Sequence, residues 1–191
     1  MTDKTIKSLL ETLLSQQAGH PVAILSMQSL GGGCINQAAR LKTGKGIFFA
    51  KWNTAGRYPG MFEAEARGLQ KLREAAALKV PRVIAMGDDG RQAALILEFI
   101  EEGPKGPGFW EDFGRGMSGL HRHSADRFGL DHQNYIGSLP QDNQWEESWA
   151  GFFINRRIEP QWRMARDRGR APRELAQALE RLFLRLDDIF P

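Results

Sequence analysis

The chain has 191 residues, a formal net charge of +3 and a single cysteine. This length suits one large domain or two small lobes, and one cysteine excludes an internal disulfide and favours a reducing, cytoplasmic location. The mildly basic balance suits an anionic ligand without indicating a nucleic-acid partner, and no apolar run approaches the roughly 18 residues of a membrane span.

The first elements in chain order are a helix and three strands. Apolar residues at intervals of three and four predict the helix, which ends at Gly19 and Pro21. Its apolar residues are Ile6, Leu9, Leu10, Leu13 and Leu14. The first strand is predicted from an alternating set formed by Ala23, Leu25, Met27 and Ser29. Two more strands, 35–41 and 47–51, are joined by a hairpin turn at 42–46.

Three consecutive glycines separate the first strand from the second. Gly31, Gly32 and Gly33 carry no side chain, so their backbone N–H groups can approach a polyphosphate closely. Lys51 ends the third strand and would place one cation beneath this loop, as in the amino-terminal lobe of a kinase. Taken alone, a triple glycine is more often a simple turn, and this alternative stays open.

The next predicted helix, 61–77, distinguishes two glutamates. Its apolar face carries Phe62, Glu65, Leu69, Leu72 and Ala76. Glu63 lies on the polar side, where we expect it to be solvated. An unpaired carboxylate on an apolar face is costly, so we expect Glu65 to pair with Lys51 from the preceding strand.

A second hairpin is predicted from Val83 to Phe99, with its turn at 88–90. Its last strand runs into a glycine- and proline-rich connector, which is typical of a hinge between two lobes. A hinge here would place backbone groups of Glu98, Phe99 and Ile100 against the edge of an adenine. An ordinary strand end is the alternative, and this segment alone favours it.

The chain beyond the connector is predicted to be helical, so the expected domains are an amino-terminal lobe, 1–99, and a carboxy-terminal lobe, 100–191. His121 is expected to face the core and His123 the solvent, without a metal site, because no cysteine or carboxylate cluster joins them. A long polar loop follows, and a loop of this length is expected either to be functional or to be stabilised by its own packing. Its expected core anchors are Trp145, Trp149, Phe152 and Phe153.

The arginines between Arg156 and Arg173 are interpreted as a solvated helix face, and not as a nucleic-acid site. The last amphipathic helix, 174–190, is expected to leave its apolar face uncovered and to favour self-association. The residues of that face are Leu175, Leu179, Leu182, Phe183 and Leu186.

Several segments together resemble the fructosamine-3-kinase, or ketosamine kinase, family. They are GGGCIN, FFAKWN, MFEAEARGL, KVPRVI, ILEFI, LHR and FGLDHQNYIGSLPQDNQWEESWAGFF. The match covers essentially the whole chain in a consistent order, and the last string is its most specific part. The resemblance implies an α+β, protein-kinase-like fold of two lobes, related to aminoglycoside and choline kinases. An antiparallel β-sheet would form the amino-terminal lobe, and a partial set of helices the carboxy-terminal lobe.

The resemblance implies a kinase that uses ATP and Mg²⁺ to phosphorylate a sugar hydroxyl of a ketoamine. The ketoamine would be a glycated lysine, either small or protein-bound, and its decomposition after phosphorylation would deglycate the protein. Lys51 would hold the nucleotide phosphates and Glu65 would pair with it, while the adenine-binding hinge would be Glu98, Phe99 and Ile100. The phosphate loop would comprise Gly31, Gly32, Gly33, Cys34 and Asn36.

The catalytic residues of the family are not found in this sequence. In the family they lie in a downstream HGDLW-type loop and a DP-type metal motif, and the chain stops at Pro191, about where that loop would begin. We therefore expect either a fragment of a longer enzyme or a truncated relative, inactive by itself. Two alternatives stay open: a non-catalytic nucleotide-binding or self-associating fragment, and a small-molecule phosphotransferase of the aminoglycoside or choline kinase type.

Cys34 is the only thiol, and its position in the glycine-rich loop suggests a redox role. Backbone N–H groups of such a loop favour anions, so they would stabilise the thiolate. Oxidation is expected to give a Cys34–Cys34 homodimer with impaired nucleotide binding, with an inert packed thiol as the alternative.

Overall fold

The computed structural model describes residues 2–31 and 35–189, which belong to two compact units, 1–123 and 124–191. The helix at 109–121 therefore belongs to the first unit, although the sequence predicted a lobe boundary near residue 100. The units are defined by packing, whereas the predicted lobes are defined by function, so that division stays a prediction. No described helix is long and apolar enough to cross a membrane.

The described part of the first unit contains three helices and five strands. The helices are α1 (Thr2–Ala18), α2 (Met61–Glu74) and α3 (Phe109–His121). The strands are β1 (Ile24–Leu30), β2 (Gln37–Thr43), β3 (Gly46–Thr54), β4 (Val83–Asp88) and β5 (Gln92–Glu98). A short 3₁₀ turn, Ala55–Arg57, precedes α2.

The five strands form one antiparallel sheet in the order β1-β2-β3-β5-β4. Both predicted hairpins are confirmed, and local hydrogen bonds explain where they turn. Thr43 Oγ1 accepts a hydrogen bond from the N–H of Lys45 at 3.0 Å. In the second turn, Asp89 Oδ1 accepts one from the N–H of Gln92 at 2.7 Å. Side chains that bond nearby backbone in this way stabilise tight turns.

The two faces of the sheet are covered by different helices. The α1 face is defined by Ala39, Leu41, Ala50, Trp52, Ala94 and Ile96, which form a core with the apolar stripe of α1. The α2 face is defined by Phe49, Lys51, Leu95 and Leu97, and here Phe62 and Ala66 of α2 pack mainly on β5. Strand β5 is covered on both faces, so residues 94–97 are buried without alternation. The predicted first helix and its stripe are confirmed.

Strand β1 departs from the predicted alternation. The side chain of Leu25 is 66% exposed, whereas Ile24 is 3% exposed and lies in the core. The pairing register with β2 shifts between Ile24 and Ser26. Such a bulge inserts one extra residue, which turns the side chain of Leu25 outward.

Helix α2 ends three residues earlier than predicted. It stops at Glu74, and Ala76 adopts a left-handed φ of 50°. The guanidinium of Arg73 donates to the carbonyl of Val80 at 3.2 Å, so the chain folds back past the helix end. Leu72, expected on the apolar face, is 41% exposed. Helix α3 buries no residue, so the prediction that His121 faces the core is also wrong.

The second unit contains a two-stranded sheet and a set of short helices. The strands are β6 (Asn134–Ile136) and β7 (Leu139–Gln141). The helices are α4 (Trp149–Phe153), α5 (Glu159–Asp167), α6 (Arg173–Phe183) and α7 (Leu186–Ile189). A π-helical turn, Ile154–Ile158, joins α4 directly to α5.

The polar loop of this unit packs on itself, which is one of the two expected outcomes, and Asn143 is its centre. Asn143 is 1% exposed. Its amide donates to the carbonyl of His132 and to Asn134 Oδ1, both at 2.9 Å. Arg157 Nη2 donates to Asn143 Oδ1 at 2.6 Å. A buried side-chain amide bonded on every side fixes one conformation of its surroundings.

Three other expectations for this unit hold only in part. Trp145 and Trp149 are each 37% exposed, so they are not core anchors, whereas Phe152 is buried. The arginines from Arg163 to Arg173 are exposed, as expected, but Arg156 is not on a solvated face, because it pairs with Asp142 at 2.6 Å and Glu146 at 2.8 Å. The predicted last helix is broken at 184–185, and this break buries a residue expected to be uncovered, Leu186.

Candidate functional site

The centre of the candidate site is an ion pair between β3 and α2. Lys51 lies opposite Ala38 of β2 and Leu95 of β5. Its Nζ is 2.6 Å from Glu65 Oε2, and the two side chains are 19% and 30% exposed. The ion pair predicted from the sequence is therefore present, and Glu63 is exposed, as expected.

The packing of α2 explains why Glu65, and not Glu63, reaches Lys51. Phe62 is three residues before Glu65 and Ala66 directly follows it, and both are buried against Leu95 and Leu97. This contact fixes the rotation of the helix about its axis, so the side of α2 that carries Glu65 faces the sheet. The pair is partly screened from water, which makes its attraction stronger than that of a surface ion pair.

The glycine-rich loop is described only at its two ends. Gly31 follows β1, and a Cβ atom added to it would meet no atom within 4 Å. Gly32, Gly33 and Cys34 lie outside the described residues, so their predicted roles stay predictions. Asn36 closes the loop, and its Oδ1 accepts a hydrogen bond from Asn53 Nδ2 at 2.9 Å.

Asn53 is the site residue that the sequence reasoning missed. It lies two residues after Lys51 on β3, so it shares the α2 face, and it is 6% exposed. Besides Asn36, its Nδ2 lies 3.4 Å from Met61 Sδ at the start of α2. One buried amide therefore connects the loop, the strand of the lysine and the helix of the glutamate. A polar residue at an inward position of a covered strand is the signal that could have identified it.

A cavity of about 270 Å³ lies beside this junction, lined by residues that include Gln37, Asn53, Arg57 and Gln92. Two buried oxygens of its lining residues, Asn53 Oδ1 and Gln92 Oε1, receive no hydrogen bond from the described residues. Buried carbonyl oxygens are normally satisfied, so the end of the loop keeps hydrogen-bonding capacity that the fold itself does not use.

The predicted hinge lies at the end of β5. The N–H of Glu98 donates to the carbonyl of Arg82 at 2.8 Å, so the sheet already uses this group. The backbone of Arg82 also hydrogen-bonds the Glu98 carboxylate, which lowers the pKa of Glu98. The Phe99 ring lies under Arg40, with 5.2 Å from Cζ to the ring centroid, and Ile100 is 38% exposed. The predicted role of this segment in adenine binding stays a prediction.

The described part of the chain contains no cluster of metal-ligating side chains. Over residues 2–31 and 35–189, no group of three His, Cys, Asp or Glu side chains could hold a metal ion. Asp131 is paired with its neighbour His132 at 2.7 Å.

Comparison with known proteins identifies the family. A family model described as fructosamine kinase matches residues 6–191. A Synechocystis protein named as a ketoamine kinase is 37% identical over 156 residues, which are 81% of this chain and 52% of the relative. A protein-ribulosamine 3-kinase of Arabidopsis thaliana is 36% identical over 152 residues, 78% of this chain and 46% of the relative.

A crystal structure assigned to a fructosamine-3-kinase of Thermobifida fusca has a TM-score of 0.78 at 30% identity, covering 92% of this chain and 60% of that chain. The chain spans about half the length of the curated relatives it matches. The predicted α+β, kinase-like fold is therefore confirmed, and the chain belongs to the fructosamine kinase family.

Proposed function

We propose that this chain is the nucleotide-binding part of a kinase that phosphorylates a sugar hydroxyl of a ketoamine. The ion pair of Lys51 with Glu65, at 2.6 Å, is the observation that supports the proposal most strongly. Lys51 lies within β3, three residues before its end and not at its end as the sequence predicted. In kinases, a lysine on the third strand holds the α- and β-phosphates, and a helical glutamate holds that lysine.

The geometry suits this role for a simple reason. An ammonium group has three N–H donors, and the pair with Glu65 uses one of them. Because Glu65 is held by the packing of α2, it fixes the direction of the Lys51 side chain, and the remaining donors can bind phosphate oxygens. Lys51 also lies opposite Ala38, and Ala38 is only two residues beyond Asn36, at the end of the glycine-rich loop. The loop and the lysine would therefore contact one polyphosphate together.

ATP is the expected phosphate donor, and Mg²⁺ is the metal ion that kinases use with it. Among the described residues, no three His, Cys, Asp or Glu side chains are grouped so that they could hold a metal ion, so these residues do not form a magnesium site by themselves. The sequence also contains no HGDLW-type loop to orient the attacking hydroxyl. We therefore expect residues 1–191 alone to bind ATP without transferring its phosphate, since groups that act as one unit leave little residual rate when removed.

The proposed acceptor is a ketoamine formed by a sugar on a lysine, free or within a protein. This proposal is supported by the names of the relatives, which refer to ketoamine and ribulosamine substrates. The most specific string of the sequence, 128–153, makes an aminoglycoside- or choline-type acceptor the weaker alternative.

ATP binding by residues 1–191, measured by calorimetry, tests the proposal. Lys51→Ala should weaken ATP binding about tenfold or more, because it removes a charge-assisted contact with the phosphates. Lys51→Arg should restore little, since a planar fork replaces a point charge. Lys45→Ala, in the exposed β2–β3 turn, is the control for the loss of one positive charge. Equal ATP affinity in wild type and Lys51→Ala would contradict the proposal.

We also propose that oxidation joins two chains through Cys34, which would obstruct the glycine-rich loop. Peroxide would oxidise two thiols to one disulfide and be reduced to water, whereas the reducing cytoplasm would keep the thiol free. Non-reducing electrophoresis after peroxide treatment should show a dimer that is absent in Cys34→Ser. A purely monomeric wild type would exclude this dimer.

A further inference from the structure

Arg40 lies on the same sheet face as Lys51. On β2 it is opposite Phe49 of β3, and Lys51 is two residues beyond Phe49. Its neighbours Ala39 and Leu41 are both 0% exposed and belong to the α1 face. Because side chains alternate along a strand, Arg40 must project from the opposite face, the α2 face.

Helix α2 leaves the part of this face around Arg40 uncovered. The helix packs on β4 and β5, at one side of the sheet. On β2, Ala38 and Arg40 are only half-buried, and Gln28, opposite Arg40 on β1, is exposed. A ligand could therefore reach the β1–β2 side of the α2 face without displacing a helix.

The guanidinium of Arg40 has an aromatic partner but no carboxylate partner. Its Cζ is 5.2 Å from the centroid of the Phe99 ring. No Asp or Glu of the described ranges forms an ion pair with it, whereas Lys51 is already paired with Glu65. A guanidinium is planar, so one of its faces can stack on Phe99 while the other stacks on a second flat group.

The position of Arg40 along the strands indicates which part of a nucleotide it would meet. Three residues of β3 project from the α2 face at successive positions along the strand: Phe49, Lys51 and Asn53. Each position is called a level of this face. Phe49 pairs with Leu97, beside the predicted hinge, whereas Asn53 is bonded to Asn36 at the end of the loop. Successive levels are about 6.6 Å apart, since each spans two residues of a strand. Arg40 is at the hinge level, away from the loop where phosphates would bind.

We propose that Arg40 binds the purine base of the nucleotide by stacking its guanidinium on the ring, with Phe99 on the opposite face of the guanidinium. This inference rests on the proposed nucleotide-binding function and assigns a separate part of the ligand to each cation. Lys51 binds phosphate, and Arg40 binds the base.

Binding of three probes to residues 1–191 tests this division: adenosine, ATP and inorganic tripolyphosphate. Arg40→Ala should weaken the binding of adenosine and of ATP by the same factor, about fivefold, and leave the binding of tripolyphosphate unchanged. Arg40→Lys keeps the charge without the planar stack, so it should behave more like Arg40→Ala than like wild type. Phe99→Leu should weaken adenosine as well, because it removes the ring that holds the guanidinium.

Two control variants complete the experiment. Lys42→Ala removes an exposed cation two residues further along the same strand and should change none of the three affinities. Lys51→Ala should show the reverse pattern, with tripolyphosphate and ATP weakened and adenosine retained.

The opposite pattern in Arg40→Ala, with tripolyphosphate weakened and adenosine unchanged, would overturn the inference, as would no change at all. Either result with normal ATP binding by wild type would leave the proposed function standing. A wild-type chain that binds neither ATP nor adenosine would overturn the proposed function, and this inference with it.

Discussion

The hydrogen bond between Asn36 and Asn53 predicts a measurable coupling between the glycine-rich loop and β3. It is a neutral bond of 2.9 Å, and Asn53 is 6% exposed, so water competes little for it. Such a bond contributes about 1 kcal/mol. Asn36→Ala and Asn53→Ala each remove it, so the double variant should lose about 1 kcal/mol less unfolding free energy than the sum of the two single losses.

A double-mutant cycle is the right experiment because Asn53→Ala has other effects. It also removes the contact with Met61, which should lower the free energy of unfolding, and a buried oxygen without a donor, whose removal should raise it. Neither involves Asn36, so both cancel in the coupling term. Urea unfolding of the four proteins gives the free energies, and tripolyphosphate titration shows whether the loop loses affinity in parallel.

The control cycle pairs Asn53→Ala with Gln70→Ala. Gln70 is exposed on α2, bonds only to Glu74 among the described residues and shares no partner with Asn53. Its coupling to Asn53 should be within about 0.3 kcal/mol of zero. The idea that this bond anchors the loop would be refuted if the double variant of Asn36 and Asn53 lost the sum of the two single losses, to within about 0.3 kcal/mol.

Gly129→Ala should destabilise the second unit by about 2–3 kcal/mol, because φ is +153° and a Cβ atom would lie 2.9 Å from Trp145 Cε3. Gly169→Ala is its control, with φ of +65° but no atom within 4 Å, and should cost only about 1 kcal/mol; equal losses in urea unfolding would contradict the packing argument. For Asp142, burial acts to raise its pKa, but hydrogen bonds from the backbone and from Arg156 outweigh burial and hold that pKa below the usual value. Its stabilisation is therefore present above the ordinary pKa near 3.8 and lost as the pH falls through the lower folded value. The deficit of Asp142→Asn should be constant at pH values well above 3.8 and shrink as the pH falls below that value, and a deficit that stays constant across this range would exclude the linkage.

The sequence alone was sufficient to predict features in which the spacing of residues within one element determines which side chains are buried. The stripe of α1 and the place of Glu65 on the inward side of α2 follow from helical spacing, and the hairpins follow from turn residues whose effect is local. These features depend on the order of residues within one element, so no partner element has to be known.

Features that depend on pairing between elements were not predictable in this way. Leu25 is outward because the register with β2 slips at a bulge, and a single strand carries no record of that slip. Asn53 could be recognised only once the structure showed which face α2 covers. Arg156 was assigned to solvent because its acidic partners are 10 and 14 residues earlier in a loop, beyond the range of helical spacing.

The π-helical turn at 154–158 has a consequence for how this segment can vary in length. A π turn is equivalent to one residue inserted into an α-helix, and it lets the adjacent Arg156 and Arg157 both reach the loop around Asp142. Because the wide turn absorbs the extra residue, deleting one residue here would restore ordinary helical geometry and leave the phase of α5 relative to α4 nearly unchanged, whereas a deletion within α5 itself would rotate the rest of that helix by about 100°. A single-residue deletion inside the π turn should thus cost the contact of Arg156 or Arg157 with this loop, whereas a deletion within α5 should change the phase of the residues that follow it in the helix.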